Sequence, residues 1–248
     1  MRTFLLLVLL APGLLLAQSD FRLSTAAMPN LEDALIPLPA PLADLVVREE
    51  LDAIKAPTPK PDELLKQVVN ELKTRQFAQA LPKLEYLQSI RPSEPDVLIL
   101  RGCIYAESGH PEKAEAIFRK AILIAPSHPW ARLNLAESQF TQKKFADAEA
   151  TLTILASTRP ESEVVRFKLI LAEILQKKFE LAEQELHYLE DHVATPAYYY
   201  AQAALAFAKG DPKTAQNQME LGRKNYGEAQ SGYFYNALAA QGWVPPAP

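Results

Sequence analysis

The sequence predicts an all-α protein, a solenoid of stacked helix pairs, on three observations. Pro61, Pro95 and Pro129 stand 34 residues apart, and so do Pro92, Pro126 and Pro160. An alanine keeps the same step at Ala80, Ala114, Ala148 and Ala182, with an aromatic three places before it at Phe77, Phe145 and Phe179. Between these landmarks the apolar residues recur at helical spacing. A period of this length marks a helical repeat, in which no unit can hide its apolar stripe alone and stability accrues between stacked neighbours.

Each repeat divides into two helices. Proline at the first position of a helix costs nothing, because that backbone N–H has no partner there, so Pro61, Pro95 and Pro129 predict helix starts. Turns are expected at Gly109-His110-Pro111 and Gly210-Asp211-Pro212, where glycine takes the left-handed terminal conformation and proline opens the next helix. Lys143-Lys144 and Lys177-Lys178 occupy the matching places and suit the negative end of the preceding helix. The second helices are expected to bury Leu84 and Leu87, Phe118 and Ala121, Leu152 and Leu155, Leu186 and Leu189, each pair three residues apart on one face.

Gly102, Tyr105, Gly109, Ala114, Phe118, Ala121 and Pro126 resemble the signature of the tetratricopeptide repeat (TPR) family. On that register five repeats run over 61–94, 95–128, 129–162, 163–195 and 196–227, about two-thirds of the chain, followed by a capping helix over 228–243 and a tail over 244–248. The sequence departs from the family pattern in lacking the first-helix tryptophan. Val68 and Ile170 replace small residues, and the fifth repeat has Gly222 and Gly227 where alanine and proline are usual. The resemblance implies a right-handed α-solenoid.

Ahead of the repeats, Met1-Arg2 and the apolar run from Phe4 to Leu16 read as a secretory signal, with cleavage expected after Ala17. The run is too short for a membrane span, so no transmembrane segment is expected once the signal is removed; an uncleaved signal anchor is the alternative. Residues 18–60 are rich in proline and read as a tether, with one short amphipathic helix expected within Leu42–Ala56. The expected location is therefore exported, in a bacterial periplasm or envelope.

Composition removes several function classes. A net charge of −4 and a pI near 5.7 leave no basic footprint for nucleic acid. Cys103 is the one cysteine, so no disulfide can form within the chain, and its mid-helix position predicts burial. There is no phosphate-binding glycine loop, nucleophile elbow or zinc-spaced His/Cys set, so neither a cofactor nor a catalytic centre is expected. Glu183, His187 and Asp191, four apart on one helix, form the best cation-binding constellation and read as a solvated acidic face.

What remains is binding. The resemblance implies that first-helix positions two, five, nine and twelve line a concave surface that takes a peptide or a partner helix. By position, the partner-binding residues are Leu65, Ile99, Trp130, Leu133, Phe140, Phe167, Leu171, Ile174, Tyr200 and Phe207; Glu137, at position nine of the third repeat, lines the same surface but is not one of them. Chaperone-binding members hold a terminal carboxylate with lysine, asparagine and arginine; Leu65, Ile99, Leu133 and Phe167 replace that clamp here. Two readings of the apolar band stay open: a partner groove, or a core hidden by tight winding or by an N-terminal segment, residues 29–56 being the candidate cover. The expected function is a non-enzymatic adaptor for a protein or peptide partner. The alternative is a structural module that assembles with copies of itself.

Overall fold

The computed structural model describes residues 60–192 and 195–246. Every regular element among them is a helix: α1 (Pro61–Lys73), α2 (Phe77–Ile90), α3 (Pro95–Glu107), α4 (Pro111–Ile124), α5 (Pro129–Thr141), α6 (Phe145–Thr158), α7 (Glu163–Leu175), α8 (Phe179–His192), α9 (Pro196–Ala208) and α10 (Pro212–Ala240). Among the described residues the fold is all-α, a succession of helix pairs as the repeat period predicts. The signal, the tether with its short helix, and residues 29–56 lie outside the described residues.

Local chemistry sets these boundaries. Pro61, Pro95 and Pro129 each stand at the first residue of a helix, as do Pro111, Pro196 and Pro212. Each two-helix unit turns through one repeated device, a Schellman closure that satisfies carbonyls the helix end would otherwise strand. In the second helix pair Gly109 N–H donates to Ala106 O at 3.1 Å and His110 N–H to Tyr105 O at 2.9 Å. Lys143 and Lys144 donate in the same way to Phe140 O and Gln139 O, and Lys177 and Lys178 to Ile174 O and Glu173 O. The residue at the pivot has positive φ in all five turns, and in three of them it is not glycine: Arg75 (59°), Lys143 (59°) and Lys177 (61°). These side chains tolerate a left-handed backbone at a cost of roughly 1–2 kcal/mol each.

The chain falls into two compact units, one ending at Ala131 and the other starting at Arg132. In the first, α1 packs on α2 and α3, and α3 on α4. Its core holds Leu64, Val68, Leu72, Leu84, Leu87, Ile104 and Phe118, with Ala80 and Ala114 fully buried where helices approach closely. Cys103 is buried there, and burial, more than the nearby Glu107, pushes its thiol far above the ordinary range. It is therefore an unreactive packing residue.

In the second unit α7 packs against α6, α8 and α9, and α9 against α10. Ala148 and Ala182 are again fully buried, with Leu152, Leu155 and Leu189 beside them; Leu186 is half-buried. The run Pro212–Ala240 is two helical arms, because Gly227 breaks it with φ 77° and ψ 169°. That conformation is essentially confined to glycine. The first arm, residues 212–226, is the second helix of the last pair; the other, residues 228–240, leaves in a new direction and builds the site described next.

Candidate functional site

The first helices of the second unit, α5, α7 and α9, carry the aromatic positions singled out from the repeat register. Leu133, Phe140, Phe167, Leu171, Ile174 and Tyr200 are all buried, and Phe207 is half-buried. In the first unit Ile99 is buried, while Leu65 and Trp130 are half-buried.

Part of the cover in the second unit is the chain's own second arm of α10. The Phe234 ring meets Phe167 edge-on at 5.0 Å and lies 6.1 Å from Tyr200, so one aromatic is lodged between α7 and α9. Beyond the arm the chain turns back and Trp243 stacks on Phe207, the rings 6.1 Å apart and 16° from parallel. Phe234, Ala237 and Leu238 are buried. Burial of Phe234 and Leu238 stabilises the seat by roughly 1.5–3 kcal/mol for each side chain.

A polar seam runs through this apolar surface. Lys168 Nζ lies 2.9 Å from both carboxylate oxygens of Glu137, and the two residues are each 3% exposed. A buried ion pair survives only when geometry and added hydrogen bonds offset desolvation. Tyr233 supplies one such bond, its hydroxyl donating to Glu137 Oε1 at 3.1 Å. The ammonium also sits 5.0 Å from the Phe140 ring centre and 5.7 Å from that of Tyr233, within the range of cation–π attraction. Burial, reinforced by the Glu137 carboxylate, holds the Tyr233 phenol well above its usual range, so it remains a donor throughout the physiological pH span.

The two arms of α10 are held differently. Asp211 caps the first, its carboxylate accepting from Thr214 N–H at 3.0 Å. Gly222 then lets that arm approach α9 so closely that a Cβ there would lie 3.0 Å from Tyr200 Cε2 and 3.1 Å from Tyr199 Cβ. By contrast, the arm over 228–240 buries a short stripe, Ser231, Phe234, Ala237 and Leu238, and leaves Glu228, Ala229 and Gln230 exposed.

Away from this face, the buried Glu173 has a different environment. Its Oε2 has no hydrogen-bond partner, and burial, with Glu185 and Glu149 close by and Lys178 opposing, raises its pKa to about 7. Of the acidic constellation on α8, Glu183 pairs with Lys209 and His187 lies 3.4 Å from Glu190, while the Asp191 side chain lies outside the described residues.

Lys168, Tyr233, Phe234 and Trp243 are the contributors that position in the repeat did not single out. Their signal was a lysine among apolar neighbours on α7, and an aromatic run behind a glycine. Neither says which surface the arm will meet.

Paired helices joined by a repeated turn define an α-helical repeat scaffold. Tetratricopeptide-repeat models match residues 65–129 and 105–166, which identifies this part of the chain as tetratricopeptide repeats. No curated protein matches it. Among solved structures it is similar to a thermophilic TPR protein of Thermus thermophilus, with a TM-score of 0.56 and 16% identity over 73% of this chain and 100% of that one. PilF of Pseudomonas aeruginosa gives a TM-score of 0.56 at 17% identity, over 73% of this chain and 91% of that one. MamA from Desulfovibrio magneticus gives 0.53 at 19%, over 65% and 94%. At these identities the likeness carries the fold alone.

Proposed function

We propose that this protein is a non-enzymatic adaptor of the bacterial envelope that binds a helical or extended segment of a protein partner along the first helices of its later repeats. One observation carries the reading: the face formed by α7 and α9 already receives an amphipathic helix, with Phe234 between Phe167 and Tyr200. A surface that seats one helix through aromatic anchors has the chemistry to seat another, which is how grooves of this kind read helical ligands. Export is supported by the apolar run behind Met1-Arg2.

Site-specific photo-crosslinking in cells tests the proposal without disturbing the fold. Benzoylphenylalanine replacing Phe207, at the edge of the lined face, should give intermolecular adducts with another protein. The same group replacing Leu181, which is 42% exposed on α8, should not. Equal labelling from both positions, or none from Phe207, would remove the groove as the binding surface. Export is checked separately by fractionation and by sequencing the mature N-terminus, expected at Gln18.

A further inference from the structure

We infer that Glu173 governs, by holding or releasing one proton, a strap between the third and fourth repeats. Protonated, it leaves Lys178 to hold Glu149 on α6; ionised, it draws the same ammonium to itself.

The geometry leaves one carboxyl unanswered among neighbours that are all engaged. Glu173 lies on α7, 5% exposed, and its Oε2 has no hydrogen-bond partner. Glu149, acting on it from α6, accepts from Lys178 Nζ at 2.6 Å and from Gln176 Nε2 at 2.5 Å. Glu185, acting on it from α8, accepts from Arg166 Nη1 at 2.5 Å. The third helix packed on α7, α9, has no charged residue between Pro196 and Ala208, and on α5 Glu137 is taken by Lys168. Ionised Glu173 is therefore a buried charge whose nearby cations already serve other carboxylates, the costliest state such a group can occupy.

Lys178 is the cation able to answer it. Its backbone N–H already donates to the Glu173 carbonyl at 2.9 Å, so both side chains start from one helix closure. The Lys178 side chain is 42% exposed and has room to swing. Arg166 has less: its guanidinium is bound to Glu185 and to the Pro160 carbonyl, and lies 3.7 Å from the centre of the Tyr188 ring. Glu149 is not stranded by the exchange, because it keeps the Gln176 amide. Burial first, then the charges of Glu185 and Glu149, raise the Glu173 pKa to about 7, and Lys178 opposes them. The neutral form prevails below that pH, so the link from α6 to the turn between α7 and α8 is held in mild acid and slackens in mild base.

Nuclear magnetic resonance on the full chain, with carbon-13-labelled glutamate and lysine, tests the exchange across neutral pH. Glu173 Cδ, identified by its absence from Glu173→Gln, should titrate with a midpoint of about 7. Lys178 Cε should shift through the same midpoint, and in Glu173→Gln that shift should vanish. Lys178→Met should move the Glu173 midpoint up by removing the opposing cation. Glu149→Gln should move it down by removing a like charge and freeing the ammonium. The strap itself is read by amide exchange corrected for the intrinsic rate. Protection over 175–179 should fall about threefold from mild acid to mild base in the unmodified chain and stay constant in Glu173→Gln. A Glu173 midpoint in the ordinary carboxylate range, a Lys178 signal flat through the midpoint, or a midpoint indifferent to Lys178→Met overturns the exchange. Protection over 175–179 that does not change with pH overturns the strap.

Discussion

The two arms of α10 share one helix run and one neighbouring helix, yet they are held by opposite means. Residues 212–226 begin at a capped Asp211 and lie against α9 at a distance only Gly222 permits. Residues 228–240 are held by side chains: Ser231, Phe234, Ala237 and Leu238 are buried, the Ser231 hydroxyl donates to Gly222 O, and the Tyr233 hydroxyl donates to Glu137. The first arm closes a repeat; the second fills a site. The first arm rests on close backbone approach and the second on buried side chains.

The largest effect should come from the anchor itself. Phe234→Ala is expected to cost about 3 kcal/mol, as loss of a buried phenyl does. The cost should fall on one arm: amide exchange in 228–240 should accelerate while 212–226 stays protected. If both arms loosened together, the contrast between them would be lost.

Gly227→Ala should follow at about 2 kcal/mol, the strain of placing a side-chain-bearing residue in a glycine-only region. Because alanine favours a continuous helix, far-ultraviolet circular dichroism should keep its helical signal as the arm leaves its seat. A fall in helical signal would show that the arm is not separable.

Two of the buried glutamates sharpen the comparison next. Glu137 is paired, whereas Glu173 has a carboxylate oxygen without a partner and a pKa raised to about 7. A raised carboxyl pKa means the folded state binds a proton that the unfolded state releases, so stability falls as pH rises from about 4.5 to about 7. Glu173→Gln should therefore be more stable than the unmodified protein at pH 8, on the order of 2 kcal/mol, and equal to it near pH 4. Thermal melts at both pH values check this. A constant difference would assign the effect to packing and not to charge.

Tyr233→Phe should have the smallest effect, about 1 kcal/mol for one hydrogen bond. It should leave the Phe234 seat in place, with only slightly faster exchange over 228–240. A loss as large as that of Phe234→Ala would mean the polar seam, and not the phenyl slot, holds the arm.

Much of this architecture could be read before any coordinates. Prolines at helix starts and alanines at close approaches are local requirements, so their spacing carried the helix pairs directly. The turns were legible where Gly109 and Gly210 stand, and less so where Arg75, Lys143 and Lys177 accept positive φ, because the repeated hydrogen-bond closure overrides local preference there. The positions from Leu133 to Phe207 could be picked out by the repeat register, while the segment that packs over part of them could not. The segment over 228–240 announces an amphipathic helix, but its direction depends on the ψ of Gly227 and on a lysine two repeats' length away in sequence from the tyrosine it meets. Residues 29–56, the cover expected from the sequence, lie outside the described residues. The cover that is described comes from the other end of the chain.

Hydrogen exchange on the unmodified full-length protein tests the central claim most directly, comparing residues 228–240 with 212–226 under native conditions. A second arm held separately by its own side-chain anchors should exchange through its own opening, at least about tenfold faster, with α7 and α9 still protected. One common rate for both arms would mean a single cooperative unit, and the face beneath Phe234 would then be ordinary core.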